Sequence, residues 1–241
     1  MQDSPRPMKP VTFLLMNTNN NTYTILYASV MVVIVAFLLA FVNSGLRERQ
    51  NKNIELDTKK QILSSLGVKD VTDADAAFAG VDAQDMIVNE DGTLAPYEGK
   101  FVTAYEKEAK ENGRTHIFVC MVDGQTKYVI PVYGAGLWGA IWGYVALNSD
   151  KNTVYGTYFS HASETPGLGA EITATWFQTQ FEGKHVMDGT TVALSVEKNG
   201  KVEKPEFQVD GISGGTITSK GVDAMLKACL ANYTKFLTSN E

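Results

Sequence analysis

The sequence of 241 residues carries 21 Lys and Arg against 27 Asp and Glu, a formal net charge of −6. It is long enough for one substantial domain with its own core. The acidic balance, without basic runs interleaved with aromatic residues, argues against a nucleic-acid partner. The 2 cysteines, Cys120 and Cys229, are too few for an iron–sulfur cluster and lie in apolar patterns that favour buried thiols over a disulfide.

A long uncharged run lies near the amino terminus. Residues 1–22 are polar, and residues 23–42 contain no charged side chain. About 20 residues of helix span roughly 30 Å, the thickness of a bilayer core. We therefore predict a transmembrane helix over 23–42. The alternative is a signal peptide cleaved near Val42 and Ser44, but the run exceeds a usual signal core and a polar segment precedes it.

Basic residues around this run do not fix its orientation. Arg6 and Lys9 precede it, and more basic residues follow. A simple positive-inside count would keep the following domain in the cytoplasm, but that rule weakens for long translocated domains. The basic residues that follow are Arg47, Arg49, Lys52, Lys59 and Lys60.

The next elements are helices and then strands. Residues 43–70 read as a polar, helix-compatible connector that ends near Gly67, and a second helix is expected around 74–79. The domain itself is placed at 71–241. Its predicted strands are 115–122, 127–133, 141–147 and 153–159.

Asp-Gly and Asn-Gly pairs mark the expected hairpins. Asp123-Gly124 joins the first two predicted strands, and Asp91-Gly92 is a weaker signal of the same kind. Asn199-Gly200 predicts a third hairpin, between 191–197 and 202–209. A helix is expected over 171–181, where apolar residues recur at helical spacing. The fold class is therefore α+β: a single amino-terminal transmembrane helix, then a twisted antiparallel sheet with packed helices.

Two glycine-rich clusters precede the end of the domain. Residues 134–139 fit GxGxxG, but a strand-like run follows them, which argues against a dinucleotide fingerprint and for a bend. Leu137 and Trp138 on such a bend could pack against a flat ring. The second cluster, 161–170, contains His161 and Glu164. No further ligand pair accompanies them, so a hydrogen-bonded loop is favoured over a metal site.

The third cluster, 210–219, reads DGISGGTITS and runs into an apolar-faced helix. Ser219 or Thr218 is expected to cap that helix. A helix amino terminus offers free N–H groups and a positive dipole end, which suit a phosphate. The alternative is an ordinary tight turn before a capped helix.

The order of residues in this cluster resembles a flavinylation motif, in which flavin mononucleotide (FMN) is esterified to a hydroxyl side chain. Asp210, Ser213, Gly214 and Thr216 match in register, and Gly215 stands where the motif usually has Ala. The three clusters together resemble FMN-binding domains. With the single span and the overall length, the chain resembles the NqrC family, the C subunits of Na⁺-translocating NADH:quinone oxidoreductases.

The resemblance implies an FMN held covalently on Thr216 through a phosphoester. It implies an electron-carrier subunit that relays electrons between redox centres of membrane partner subunits in a sodium-translocating quinone reductase, without catalytic residues or a metal of its own. The other expected FMN contacts are Ser213, Gly214, Gly215, Ile217, Thr218, Glu164, Thr165, Leu168, Gly169, Leu137 and Trp138.

The resemblance also implies a place in the cell. The chain is expected to be a single-pass protein of the bacterial inner membrane, with a cytoplasmic tail at 1–22, an FMN domain facing the periplasm and a flavin transferase for maturation. Three alternatives remain: the G subunit of the related ferredoxin:NAD⁺ (Rnf) complex, a membrane-anchored FMN-binding sensor, and a flavin-dependent reductase. The last would need a substrate cleft with a proton donor.

Overall fold

The computed structural model describes residues 21–239, so most of the predicted cytoplasmic tail lies outside the described residues. The chain divides into two compact units, one up to Asn51 and one from Lys52 onward. Helix α1, Asn21–Ser65, contains the whole predicted span. Within 21–239 it is the one helix that by length and composition could cross a membrane, with a mean hydropathy of 2.9 over its most apolar window.

The second unit is an α+β domain, as predicted. Short 3₁₀ turns at Gly169–Thr173 and Thr179–Phe181 flank helix α4, whose bounds are given below. The other helices and strands are α2 Ala74–Gly80, β1 Gln84–Val88, β2 Leu94–Pro96, α3 Tyr105–Asn112, β3 Thr115–Val122, β4 Gln125–Ala135, β5 Ala140–Leu147, β6 Val154–His161, α4 Thr175–Gln178, β7 Met187–Asp188, β8 Thr191–Val192, β9 Ser195–Glu197, β10 Gln208–Asp210, α5 Thr216–Ala231 and α6 Thr234–Leu237.

Six strands form the main sheet in the order β2-β1-β3-β4-β5-β6, and every neighbouring pair is antiparallel. Asp123 and Gly124 join β3 to β4 with φ angles of 51° and 73°. These positive angles match the right-handed twist of a two-residue hairpin loop. The weaker signal at Asp91-Gly92 also lies in a hairpin, between β1 and β2. Both predictions are confirmed.

Each face of the sheet packs against its own hydrophobic core. Side chains alternate between the faces along a strand, so Ile117 enters one core and Phe118 the other. The first core includes Met225 and Leu226 of α5. The second includes Ile62 from the end of α1, and α2 and α3 contribute further residues. Helices therefore cover both faces, which explains the long buried runs in the central strands.

Pairing between β3 and β4 stops halfway along the two strands. The ladder ends at Phe118 opposite Val129, and β4 continues through Pro131, which has no N–H to donate. β4 nevertheless stays paired with β5 as far as Ala135. β4 is thus held mainly by β5, and its far end leaves backbone groups that need other partners.

Side chains at the end of α5 and just beyond it supply partners for both β4 and β3. Cys229 Sγ lies 3.4 Å from both the nitrogen and the carbonyl oxygen of Tyr133. The Tyr233 hydroxyl donates to the carbonyl of His116 at 2.6 Å. Cys229 and Cys120 are both free and buried, as predicted. Burial raises the pKa of Cys229 and raises that of Cys120 to about 12, so both remain thiols.

The hairpin predicted at Asn199-Gly200 is wrong. β9 and β10 are parallel neighbours, with Val209 opposite Val196. The Gly200 N–H donates to Asp210 Oδ1 at 2.7 Å, and the Asn199 amide donates to the carbonyl of Gly211 at 3.1 Å. These two hydrogen bonds therefore hold the turn against the end of β10. The chain returns to the level of the start of β9 before β10 begins, so the two strands run in the same direction.

The helix predicted over 171–181 is also corrected, to three short helical pieces. Ala174 is extended, with ψ of 140°, and separates the first piece from α4. Side chains compete for the carbonyls that a continuous helix would use. The hydroxyls of Thr173 and Thr179 donate to the carbonyls of Ala170 and Thr175, and the Gln178 amide donates to the carbonyl of Ile172.

We expect Tyr233→Phe to lower the free energy of unfolding by about 1–3 kcal/mol, because the buried carbonyl of His116 loses its donor. Urea denaturation of the full chain in detergent measures this. Tyr128→Phe is the control: Tyr128 packs edge-on against Phe236, and its hydroxyl has no hydrogen-bond partner within residues 21–239. Equal losses in the two variants would contradict the role given to the Tyr233 hydroxyl.

Candidate functional site

The three clusters singled out in the sequence meet at one place in the domain. The first, 134–139, comprises the last two residues of β4 and the bend 136–139 between β4 and β5. The bend is closed by a hydrogen bond of 2.8 Å from Gly136 N to Gly139 O. The second is the loop after β6, and the third is the start of α5. In α5, Gly221 lies so close to the carbonyl of Ala135 that a side chain there would collide with it. The bend therefore rests directly on the helix.

Glu164 joins all three segments. Its side chain is buried, with the residue only 5% exposed. Oε1 accepts from the Trp138 N–H at 2.8 Å, and Oε2 accepts from the Thr218 hydroxyl at 2.5 Å. Its own N–H donates to His161 Nδ1 at 3.1 Å. One carboxylate thus ties the bend to α5, with the loop between them.

Two glycines make room for this carboxylate. A Cβ on Gly169 would collide with Glu164 Oε2 and with the Thr218 hydroxyl. A Cβ on Gly136 would lie 2.9 Å from the carboxyl carbon of Glu164. Because carbon atoms do not approach so closely without displacement, the site requires glycine at both positions.

The carboxylate is ionised. Burial by itself would raise the pKa of Glu164, but the Thr218 hydroxyl and the N–H groups of Trp138, Gly139 and Leu137 hold that pKa below its ordinary value. Hydrogen bonds donated to a carboxylate favour its charged form. Glu164 is therefore an acceptor in this site.

Helix α5 begins earlier than predicted. Its first residue is Thr216, and the N-cap position is Gly215, which makes no side-chain capping bond. The two residues expected to cap it make other contacts: the Thr218 hydroxyl binds Glu164, and Ser219 Oγ accepts from the Ile212 N–H and donates to the carbonyl of Gly215. The first helical hydrogen bond runs from Ser219 N to Gly215 O at 2.9 Å. The N–H groups of residues 216–218 precede it.

A tight turn brings the chain into the helix. Gly215 N donates to the carbonyl of Ile212 at 3.0 Å. Gly214 has φ of 76°, which favours glycine. Its missing side chain also leaves space for Leu168, whose Cδ2 would lie 2.8 Å from a Cβ there. Leu168 of the loop is thereby seated on the turn.

The predicted site residues differ in exposure. Trp138 is 67% and Ile217 is 58% exposed, and Leu137 and Leu168 are also exposed. Together they offer large apolar side chains on the three segments. Ser213, Thr165 and Thr216 are exposed as well, whereas Thr218 is 2% exposed and Gly169 and Gly215 are buried. The structure brings all three segments together. The exposed residues are available to a ligand, and the buried ones pack beneath them.

Sequence reasoning missed a cleft beside Thr216. This cleft has a volume of about 250 Å³, and Thr216 and Ser219 line it together with Lys198, Asn199 and Lys220. The residues of 198–199 reach α5 because of the parallel β9–β10 pairing. The Asn199-Gly200 pair is a visible turn signal, but it indicated a hairpin, so no local pattern pointed to this contact.

Asp210, the first residue of the motif, does not face the start of α5. Its carboxylate accepts from the Gly200 N–H, and its backbone pairs with the Gln180 side chain at 3.0 Å and 3.3 Å. Asp210 therefore fixes the segment that leads into the motif.

Residues 136–231 match the family model of the FMN-binding domain. That range contains the bend, the loop and the whole of α5. The domain that these segments build is an FMN-binding domain.

The chain belongs to the NqrC family, the C subunits of Na⁺-translocating NADH-quinone reductases. It is 30% identical over 229 residues to the C subunit from Vibrio anguillarum, covering 86% of this chain and 90% of the relative. Against the C subunit from Vibrio vulnificus it is 33% identical over 199 residues, covering 74% and 78%.

Two solved structures have the same fold as this chain. The crystal structure of the C subunit from Parabacteroides distasonis is 44% identical, with a TM-score of 0.75 over 81% of this chain and 98% of that chain. NqrC from Shewanella oneidensis has a TM-score of 0.65 at 24% identity, covers 78% of this chain and 100% of that chain, and supports the fold alone. The predicted family and fold class are confirmed.

We expect Gly169→Ala to destabilise the domain by about 1–3 kcal/mol, because the added carbon forces apart the Glu164 carboxylate and the Thr218 hydroxyl. Thermal unfolding of the full chain in detergent measures the loss. Gly80→Ala is the control, since a Cβ there meets nothing within 4 Å. A Gly169→Ala protein as stable as the control would contradict the tight packing around Glu164.

Proposed function

We propose that this chain is the FMN-carrying electron-transfer subunit of a membrane Na⁺-translocating NADH:quinone oxidoreductase. The observation that carries the proposal is the position of Thr216. Thr216 is exposed and is the first residue of α5. The exposed Ile217 follows it, and the turn before it contacts the exposed Leu168 of the loop. Three features are thus adjacent: a hydroxyl that can be esterified, a helix amino terminus that suits the FMN phosphate, and apolar side chains that suit the flavin ring.

The start of α5 fits the phosphate. The N–H groups of residues 216–218 precede the first helical hydrogen bond, and the positive end of the helix dipole favours an anion there. Gly214 and Gly215 allow the backbone to approach closely. Lys220, in the cleft beside Thr216, adds a positive charge. In this arrangement Thr216 tethers the phosphate. Ser213 lies close to Thr216 in the sequence.

The exposed apolar side chains fit the isoalloxazine ring. Leu137 and Trp138 on the bend, Leu168 on the loop and Ile217 on α5 would exclude water from its faces. Thr165 is the exposed polar residue of the loop. When bound, FMN supplies the electron-transfer chemistry. The residues of this chain orient FMN, shield it from water and set the electrostatic environment around it.

Thr216 is the acceptor that the geometry favours over Thr218. The Thr218 hydroxyl is buried and donates to Glu164, so it could react only if that contact broke. Ser213 is exposed but lies before the helix rather than on its first residue. A covalent tether also keeps the flavin at high effective concentration in a compartment from which free FMN would be lost.

Two alternatives are less well supported. The relatives of this chain are named as subunits of the sodium-translocating reductase, which favours that complex over the related ferredoxin:NAD⁺ complex. A membrane-anchored FMN sensor would not need redox partners. The family supports a subunit with redox partners, and the other membrane subunits of the complex are the proposed partners.

The proposed location is the bacterial inner membrane, with α1 as a single span and the FMN domain in the periplasm. A flavin transferase on that side would load Thr216. The length of the domain after the span outweighs the local count of basic residues. A tether is also most useful outside the cytoplasm.

We expect Thr216→Ala to abolish covalent FMN, because no hydroxyl remains on the first residue of α5. The full chain is co-expressed with a flavin transferase, and intact mass and in-gel flavin fluorescence after denaturing electrophoresis are measured. Thr216→Ser should keep the modification, since it keeps a hydroxyl. Thr175→Ala, which removes a hydroxyl from an exposed residue outside the three clusters, is the control and should also keep it. Fluorescence persisting in Thr216→Ala would contradict the assignment, and its loss when Ser213→Ala is added to Thr216→Ala would move the attachment to Ser213.

We expect a thiol placed on the FMN domain to be accessible from the periplasm. The native Cys120 and Cys229 are buried, so Glu203→Cys in an exposed segment provides the reporter. A membrane-impermeant maleimide should label it in spheroplasts. Ser4→Cys in the predicted tail should be labelled only after the membrane is broken. The reverse pattern would place the domain in the cytoplasm.

A further inference from the structure

Glu164 has a property that the attachment site does not require. Among residues 21–239, no Lys, Arg or His side chain forms an ion pair with it. The groups that stabilise its charge are neutral donors: the Thr218 hydroxyl and N–H groups of the bend. A full negative charge therefore remains buried in the site.

The surrounding structure is shaped around that charge. Gly136 and Gly169 press against the carboxyl group and leave no space for another side chain. Trp138 and Thr218 are both expected FMN contacts. Hydrogen bonds to the two carboxylate oxygens of Glu164 fix the positions of both residues. Each oxygen thus holds one of the two segments in place, and through these bonds Glu164 acts on residues that flank the proposed flavin.

We propose that Glu164 is a positioning residue that fixes Trp138 and the start of α5 relative to each other, and that its charge, which no cationic side chain of residues 21–239 pairs, lowers the reduction potential of the FMN. The inference rests on the proposed FMN site. A negative charge disfavours an added electron nearby, and the effect grows as the distance between the two shortens. Hydrogen bonds from Trp138 and Thr218 hold the charge in one place.

Two substitutions separate charge from geometry. Glu164→Gln removes the charge, while its amide can accept from the Trp138 N–H and donate to the Thr218 hydroxyl. Thr218→Val removes the bond to α5 and retains the charge. Glu182→Gln, which removes an exposed carboxylate elsewhere, controls for net charge. Each is made in the full, FMN-loaded chain in detergent.

The first readout is the midpoint potential of the flavin by spectroelectrochemical titration. We expect a higher potential in Glu164→Gln and no rise in Thr218→Val or Glu182→Gln. An unchanged potential in Glu164→Gln would overturn the electrostatic role. An equal rise in Thr218→Val would overturn it too, because the effect would then come from loosening of the site.

The second readout needs no flavin. In the Thr216→Ala background, amide hydrogen exchange at Trp138 reports the bond to Glu164. We expect Glu164→Ala to lower protection of that amide by roughly ten- to a hundredfold, as for a hydrogen bond to a charged group, and Glu164→Gln to retain most of it. Unchanged protection in Glu164→Ala would overturn the positioning role. Failure of the unsubstituted chain to carry FMN would instead overturn the proposed function.

Discussion

The close contact between α5 and the end of β4 is the constraint on which the rest of the domain depends. Gly221 lets the helix lie directly against the carbonyl of Ala135, so the bend that follows β4 rests on the first turns of the helix. Met225 and Leu226 of the same helix fill the core on this face of the sheet. The proposed FMN site is therefore built from the ends of regular elements that the core already holds, which is how a site gains precise geometry.

Much of the fold could be predicted because it depends on local signals. The strand expected at 115–122 is present at Thr115–Val122, since a β-branched, apolar run followed by Asp-Gly leaves few other solutions. The bend, the loop and the start of α5 were likewise visible as glycine-rich clusters. Their convergence was not visible in the spacing. It came from the resemblance to FMN-binding domains, and in the structure it depends on a carboxylate that bonds a hydroxyl 54 residues further along the chain.

Two of the errors, at Asn199-Gly200 and at the cap of α5, share one physical cause, which is long-range competition for polar groups. Asn199-Gly200 has the composition of a hairpin turn, but Asp210 and the carbonyl of Gly211 take its donors and hold it against a parallel strand. The Thr218 hydroxyl could cap α5, but Glu164 accepts it instead. In each case a partner distant in sequence wins over the local pattern, and no window of neighbouring residues contains that information. The same pairing brings Lys198 and Asn199 to the cleft beside Thr216.

The interrupted ladder between β3 and β4 has a consequence for the motions of the domain. Because Cys229 and Tyr233 complete backbone hydrogen bonds that the strands leave open, the sheet cannot separate there without releasing the carboxy-terminal end of α5. Helix and sheet should then open as one cooperative unit, with amides in both exchanging at a common rate. The start of the helix is held separately, by the hydrogen bond from Thr218 to Glu164 and by the contact of Gly221 with Ala135. A cofactor attached at Thr216 would thus sit beside contacts that oppose local fraying of the first turns, and its orientation would depend on them rather than on the far end of the helix.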